Sequence, residues 1–96
     1  MAEGVVVEVY IVRGAHNSRL AVSNLEAWMR ARFGQRPPRV DLIEVFDEPG
    51  RALAAGVWLT PQVVARGARG EARLVGTLED PVALEHVLMP VFDVAT

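Results

Sequence analysis

Few side chains in this sequence have the type and spacing that chemistry requires. Cysteine is absent, which removes disulfides, thiolate metal sites and thiol nucleophiles together and fits a reducing compartment. His16 lies in a polar loop and could touch a partner or a metal. A histidine without clustered ligands more often just decorates a loop, and His86 reads as helix-surface decoration. The carboxylates Glu44, Asp47 and Glu48 have the spacing for acid–base work. They also sit between a strand and a helix start, where acids are expected for capping, and capping is the favoured reading. Arg66, Arg69 and Arg73 stand among glycines as in nucleic-acid-binding segments, but no aromatic residue interleaves them for base stacking. A solvated hairpin or the rim of a protein interface suits them better. Trp28 and Trp58 are the large aromatics able to anchor an interface. Trp28 has the core phase of its helix, which leaves Trp58 as the interface candidate.

These residues need elements to hold them. The run 5–12 is apolar and β-branched apart from Glu8, the pattern of a central strand covered on both faces. Asn17 or Ser18 can cap a helix whose apolar positions Ala21, Leu25, Trp28 and Met29 share one face with Val22, and Gly34 ends it. Pro37 and Pro38 lead into a strand over 40–46, which completes a βαβ unit with parallel strands and a right-handed crossover. Pro49 opens a short helix over 51–55 that Gly56 ends. After Thr60-Pro61 come a strand over 62–66, a turn at 67–70 and a hairpin partner over 71–75. Asp80 caps and Pro81 begins a last helix with Leu84, Val87 and Leu88 inward, with Pro90 expected to interfere. The order is βαβαββα.

Composition sets the bounds. The chain has 96 residues, 51% of them hydrophobic and 23% charged, enough for one domain, residues 1–96, with a core of its own. The net charge is −2 and every basic residue is an arginine. No global positive field is available for nucleic acid or an anionic membrane. The all-arginine usage reflects either genome composition or bidentate contacts. The start lacks a basic n-region, and the first apolar run is far shorter than a bilayer span, so neither a signal peptide nor a membrane segment is expected and the cytoplasm is the expected location.

The element order is that of the thioredoxin fold, a three-layer α/β domain, with residues 13–18 where the redox motif would lie and Thr60-Pro61 where a cis-proline opens the third strand. The residues resemble the KaiB family, fold-switching partners of the KaiC ATPase in circadian clocks. The resemblance rests on Gly14, Asn17, Ser18 and Leu20-Ala21 after the first strand, and on Val40, Leu42-Ile43-Glu44-Val45 leading to Pro49 and Ala52. It continues through Val57, Leu59-Thr60-Pro61 and the segment 73–80, so it spans nearly the whole chain from Val7 to Leu88. It implies a non-catalytic adaptor without cofactor or metal, serving biological rhythms by binding a KaiC-type ATPase or related signalling partner. The implied contacts are Asp41, Arg51, Gly56, Trp58, Thr60 and Pro61, and the implied ground states include dimers and tetramers. In KaiB the segment after the Thr-Pro can also be rebuilt into a βαββααβ order, with Gly76 and Asp80 as hinge positions; Val82, Val87, Val91 and Phe92 have the β-propensity for it.

The sequence also departs from that family. Residues 50–56 lack its acids, Asp41 and Gly56 stand where it has basic residues, and the acidic tail is missing after Asp93. If charge selects the partner, these changes alter the selection. Two other readings stay open. One is a detached KaiB-like sensor domain of the histidine-kinase type. The other is a cysteine-free thioredoxin-like protein holding glutathione beside Pro61, with Arg13 and Arg19 supplying positive charge.

Overall fold

A computed structural model describes residues 4–92; the readings placed on residues 1–3 and 93–96 lie outside them. The elements are β1 (Val6–Ile11), α1 (His16–Phe33), β2 (Val40–Glu44), α2 (Pro49–Ala54), β3 (Gln62–Gly67), β4 (Gly70–Val75) and α3 (Pro81–Phe92). The expected βαβαββα order is therefore the observed one, and the βαββααβ alternative is not the arrangement adopted here. The sheet order is β2-β1-β3-β4. β1 pairs parallel with β2 and antiparallel with β3, and β4 closes an antiparallel hairpin on β3. The carboxyl ends of β1, β2 and β4 and the amino end of β3 thus lie together, and loops 12–15, 45–48, 55–61 and 76–80 gather there.

β1 has the central position expected of it, but its two faces are covered unequally. Val7 and Val9 point into the main core with Val63, Ala65, the α1 residues Ala21, Leu25, Trp28 and Met29, and the α3 residues Leu84, Leu88, Val91 and Phe92. The opposite face carries a smaller cluster of Tyr10, Ile43, Ala52 and Val64 beneath α2. Six helical residues extend only ~9 Å, whereas six strand residues extend ~20 Å. α2 therefore shields the half of the face near Tyr10 and leaves the half near Glu8 open. Glu8, which interrupts the apolar run, belongs to that open half.

Three local expectations need correcting. Neither Asn17 nor Ser18 caps α1: the helix begins at His16 behind Ala15, which makes no side-chain cap. Gly14 has φ +83°, which only glycine adopts freely, and a turn bond from Ala15 to the Val12 carbonyl (3.0 Å) starts the helix early. Ser18 is instead buried in the first turn, and its Oγ accepts the Val12 N–H at 3.0 Å. Pro90 does not stop α3, which runs on to Phe92. The helix loses one backbone bond there but seats Val91 and Phe92 in the core at 5% and 2% exposure. The third correction is that β2 ends at Glu44 rather than Phe46.

Candidate functional site

The open half of the sheet is a cleft of about 360 Å³ lined by Glu8, Tyr10, Arg51, Ala54, Ala55, Arg66, Glu71 and Arg73. Glu8 is only 7% exposed, and it is not left unpaired. Its carboxylate accepts from Tyr10 Oη at 2.8 Å, Arg66 Nη1 at 2.9 Å and Arg51 Nη2 at 3.1 Å. Burial pushes the Glu8 carboxyl up, but the bonds from Arg66, Tyr10 and Arg51 outweigh it and hold the group below its ordinary value. Tyr10 moves the other way: burial and the neighbouring Glu8 push its hydroxyl up to about 12. A charged floor on a half-covered sheet face satisfies the desolvated carboxylate with strong charge-assisted bonds and leaves no broad apolar sheet surface to water.

Arg51 joins this floor to α2. Besides Glu8 it bonds Asp41 at 3.0 Å and Glu48 at 3.2 Å, so Asp41 and Arg51, both expected at the partner surface, are brought into direct contact with each other. Those bonds raise the Arg51 guanidinium further above its usual value, Asp41 contributing most. Arg73 secures the other end of α2 by donating to the Ala55 carbonyl. The Gln62 amide faces the Leu59 carbonyl and the Arg73 guanidinium, and the orientation that satisfies both has its nitrogen donating to the carbonyl at 3.0 Å and its oxygen accepting from Arg73 at 3.2 Å. The Gly76 N–H donates to the Pro61 carbonyl at 2.9 Å.

The loop so anchored holds the remaining expected contact residues. Gly56 has φ +70° and the Thr60-Pro61 bond is cis, as the position before the third strand implied; Thr60 is half-buried and Pro61 buried. Trp58 is 81% exposed, while Trp28 is 7% exposed, so the two tryptophans divide into surface and core as their positions suggested. The Trp28 Nε1 donates to Glu85 at 3.3 Å. Leu59 at 64%, Leu53 at 66% and Phe46 at 78% extend the exposed apolar area around Trp58. Of the hinge candidates, Gly76 has φ +113°. Asp80 accepts the Val82 N–H at 2.9 Å, which makes it the cap expected for α3 but places it apart from α2.

Glu44 at the end of β2 and the acids Asp47 and Glu48 after it do not cap α2 with their side chains: Glu48 occupies the N-cap without a side-chain cap bond. Glu44 accepts the backbone N–H of Arg13 and, at 2.6 Å, that of Phe46. The Arg13 N–H is the main reason its carboxyl is held low. Asp47 pairs with the Arg13 guanidinium. These carboxylates stitch the β1–α1 loop to the β2–α2 loop, because the parallel pairing of β1 with β2 brings both loops to the same end. Arg19 likewise turns back on its own loop, donating to the Gly14 carbonyl at 2.7 Å. Among the described residues no group of three His, Asp or Glu is placed to hold a metal, and no helix is long and apolar enough to cross a membrane. The residues that sequence reasoning did not single out as functional are Glu8, Tyr10 and Phe46. Glu8 did carry a signal, as the one charge inside the strongest strand.

The four-stranded mixed sheet and the three helices of the described residues define a thioredoxin-like α/β fold. The N-terminal domain of Synechococcus elongatus SasA superposes with a TM-score of 0.71 at 22% identity, over 90% of this chain and 82% of that one. Mitochondrial thioredoxin 3 of Saccharomyces cerevisiae gives 0.68 at 18% identity, over 86% and 74%. A thioredoxin variant from Halobacterium salinarum gives 0.67 at 21% identity, over 97% and 79%. No family model and no curated protein matches the sequence. The chain has the thioredoxin-like framework, but with no cysteine it has no thiol of its own for thioredoxin chemistry.

Proposed function

We propose that this protein is a non-catalytic, KaiB-like adaptor that binds a protein partner, a KaiC-type ATPase or a related signalling protein, through α2, β2 and the loop 55–61. The observation that carries the reading is Trp58. A tryptophan left 81% exposed, on a loop fixed by Arg73, Gln62 and Pro61, has the form of an interface anchor: large, held in place and available. The sequence resemblance to KaiB names the partner class, and the likeness to the SasA N-terminal domain, a KaiB-like thioredoxin-fold domain, is consistent with it. A second reading, a sensor-type KaiB-like domain that binds the same kind of ATPase without changing fold, fits the βαβαββα order adopted here.

Size-exclusion chromatography with light scattering tests the proposal, on the protein alone and after incubation with a KaiC-type ATPase and ATP. A complex that forms slowly supports a fold-switching adaptor in rhythmic regulation, and one that forms at once supports the sensor-type reading. Absence of a complex in every nucleotide state overturns both. Amide NMR during the same titration separates them further, since a switch requires a second peak set over residues 61–92.

A further inference from the structure

Four of the exposed apolar side chains, Phe46, Leu53, Trp58 and Leu59, lie close together in the fold. They belong to α2 and to the loops at its two ends, beside the carboxyl ends of β1 and β2. Together they form a patch of the kind that marks a docking site. Its rim is acidic. Glu8, Asp41, Glu44, Asp47, Glu48 and Glu71 stand against Arg13, Arg51, Arg66 and Arg73, six acids to four arginines, and all four arginines are already engaged within the chain. Arg13 pairs with Asp47, and Arg51 is shared among Asp41, Glu48 and Glu8. The rim therefore carries more carboxylates than arginines, and its arginines are all held in salt bridges within the chain.

The topology extends this polarity over the molecule. The last turn of α1 and the start of β2 put Arg30, Arg32, Arg36 and Arg39 at the opposite end of the sheet, and the β3–β4 turn adds Arg69. Only Arg32 among these has a salt bridge, to Glu85 at 3.1 Å, among the described residues. Glu79 and Asp80 return to the acidic end at the start of α3. A protein with one acidic apolar end and one basic end orients an approaching charged partner before contact.

We infer that the partner surface received by Phe46, Leu53, Trp58 and Leu59 is an apolar patch rimmed by arginine or lysine. This rests on the adaptor reading for the location of the interface and adds the chemistry of what it receives. It also accounts for Asp41 standing where the KaiB resemblance places a basic residue: the face is matched to a basic partner surface rather than an acidic one.

The test uses two probe peptides, one alternating arginine with leucine and one alternating glutamate with leucine, titrated into the isotope-labelled protein at low salt. The basic peptide is expected to shift the amides of residues 46–48, 53 and 57–59, with an affinity at least about tenfold above that of the acidic peptide and falling as salt screens the charges. Trp58→Ala and Asp47→Arg are each expected to weaken it, with the variant's own spectrum reporting that the fold is kept. Preference for the acidic peptide, no preference, no response, or shifts confined to residues 30–39 and 69 would overturn the inference. A failed complex with the ATPase, by contrast, leaves the peptide result standing, so the two proposals fail separately.

Discussion

Arg51 of α2 and Glu8 of β1 are 43 residues apart in the chain and meet at 3.1 Å, joining the short helix to the half of the sheet it does not cover. Because Glu8 also takes the Tyr10 hydroxyl and Arg66, removing its carboxylate takes an acceptor from three donors, of which Arg51 keeps Asp41 and Glu48. Arg51 and Arg66 have side chains 41% and 40% exposed and can turn to water, whereas Tyr10 is 1% exposed and cannot. Glu8→Ala is therefore expected to destabilise the fold by about 1–3 kcal/mol, and Glu8→Gln, which keeps an acceptor, by less. Urea unfolding of both variants measures the difference; equal stability of Glu8→Ala and wild type would mean that the network contributes nothing net.

Glu8 and Tyr10 set the pH limits. Glu8 has a lowered pKa in the folded state, so the unfolded chain binds its proton more readily; the stability it contributes is present above the ordinary carboxylate range and is lost as pH falls through the folded value. Tyr10 has a pKa raised from 10.0 to about 12. The unfolded chain loses that proton first, so stability falls as pH rises between those two values. Chemical denaturation across pH is expected to show both limbs, and Tyr10→Phe to flatten the alkaline one. An alkaline limb unchanged in Tyr10→Phe would assign it to another group.

The two tryptophans separate stability from binding. Trp28 contacts Phe33 and Phe92 at ring-centroid distances of 6.1 and 6.2 Å, and truncating it opens the main core. Trp28→Ala is expected to cost about 3–5 kcal/mol. Trp58→Ala removes a side chain that the fold does not bury, so its stability should stay within about 0.5 kcal/mol of wild type while partner affinity falls tenfold or more, the loss typical of an interface anchor. Thermal melts and binding titrations on both variants read the contrast; a Trp58→Ala protein that melts early would make that residue structural.

How much of this was legible depended on whether its cause was local. The buried face of α1 could be read because Ala21, Leu25, Trp28 and Met29 follow the helical period, and the cis bond before Pro61 only through the family resemblance. The Glu8 network could not, because its two arginine partners lie 43 and 58 residues away and meet it only once register is set. The capping reading of Glu44 and Asp47 failed for a related reason: parallel pairing of β1 with β2 presents the Arg13 backbone and side chain, which local spacing does not show. At Ser18 and Pro90 the tertiary structure prevailed over local preference, through the end of β1 in one case and the core seats of Val91 and Phe92 in the other.

The segment joining β4 to α3 is the remaining place where single side chains should shift the balance. Gly76 holds φ +113°, and although a Cβ would meet nothing within 4 Å there, that backbone conformation itself strains any other residue. Gly76→Ala is expected to cost about 1–3 kcal/mol. Asp80 supplies the side-chain oxygen that satisfies the Val82 N–H, and Asp80→Ala should cost about 1 kcal/mol. For a domain of this size each kcal/mol lowers the melting temperature by roughly 4–8 °C, so both effects are within reach of a calorimeter. Both substitutions act on the present packing of residues 76–92, so NMR of the same variants carries further information. A single peak set that merely melts earlier means that the chain has one arrangement and these residues stabilise it. A second set confined to the chain after Pro61, growing as Gly76 or Asp80 is replaced, means that a rebuilt C-terminal half lies within a few kcal/mol. That second result would support the switching form of the adaptor over the sensor-type form.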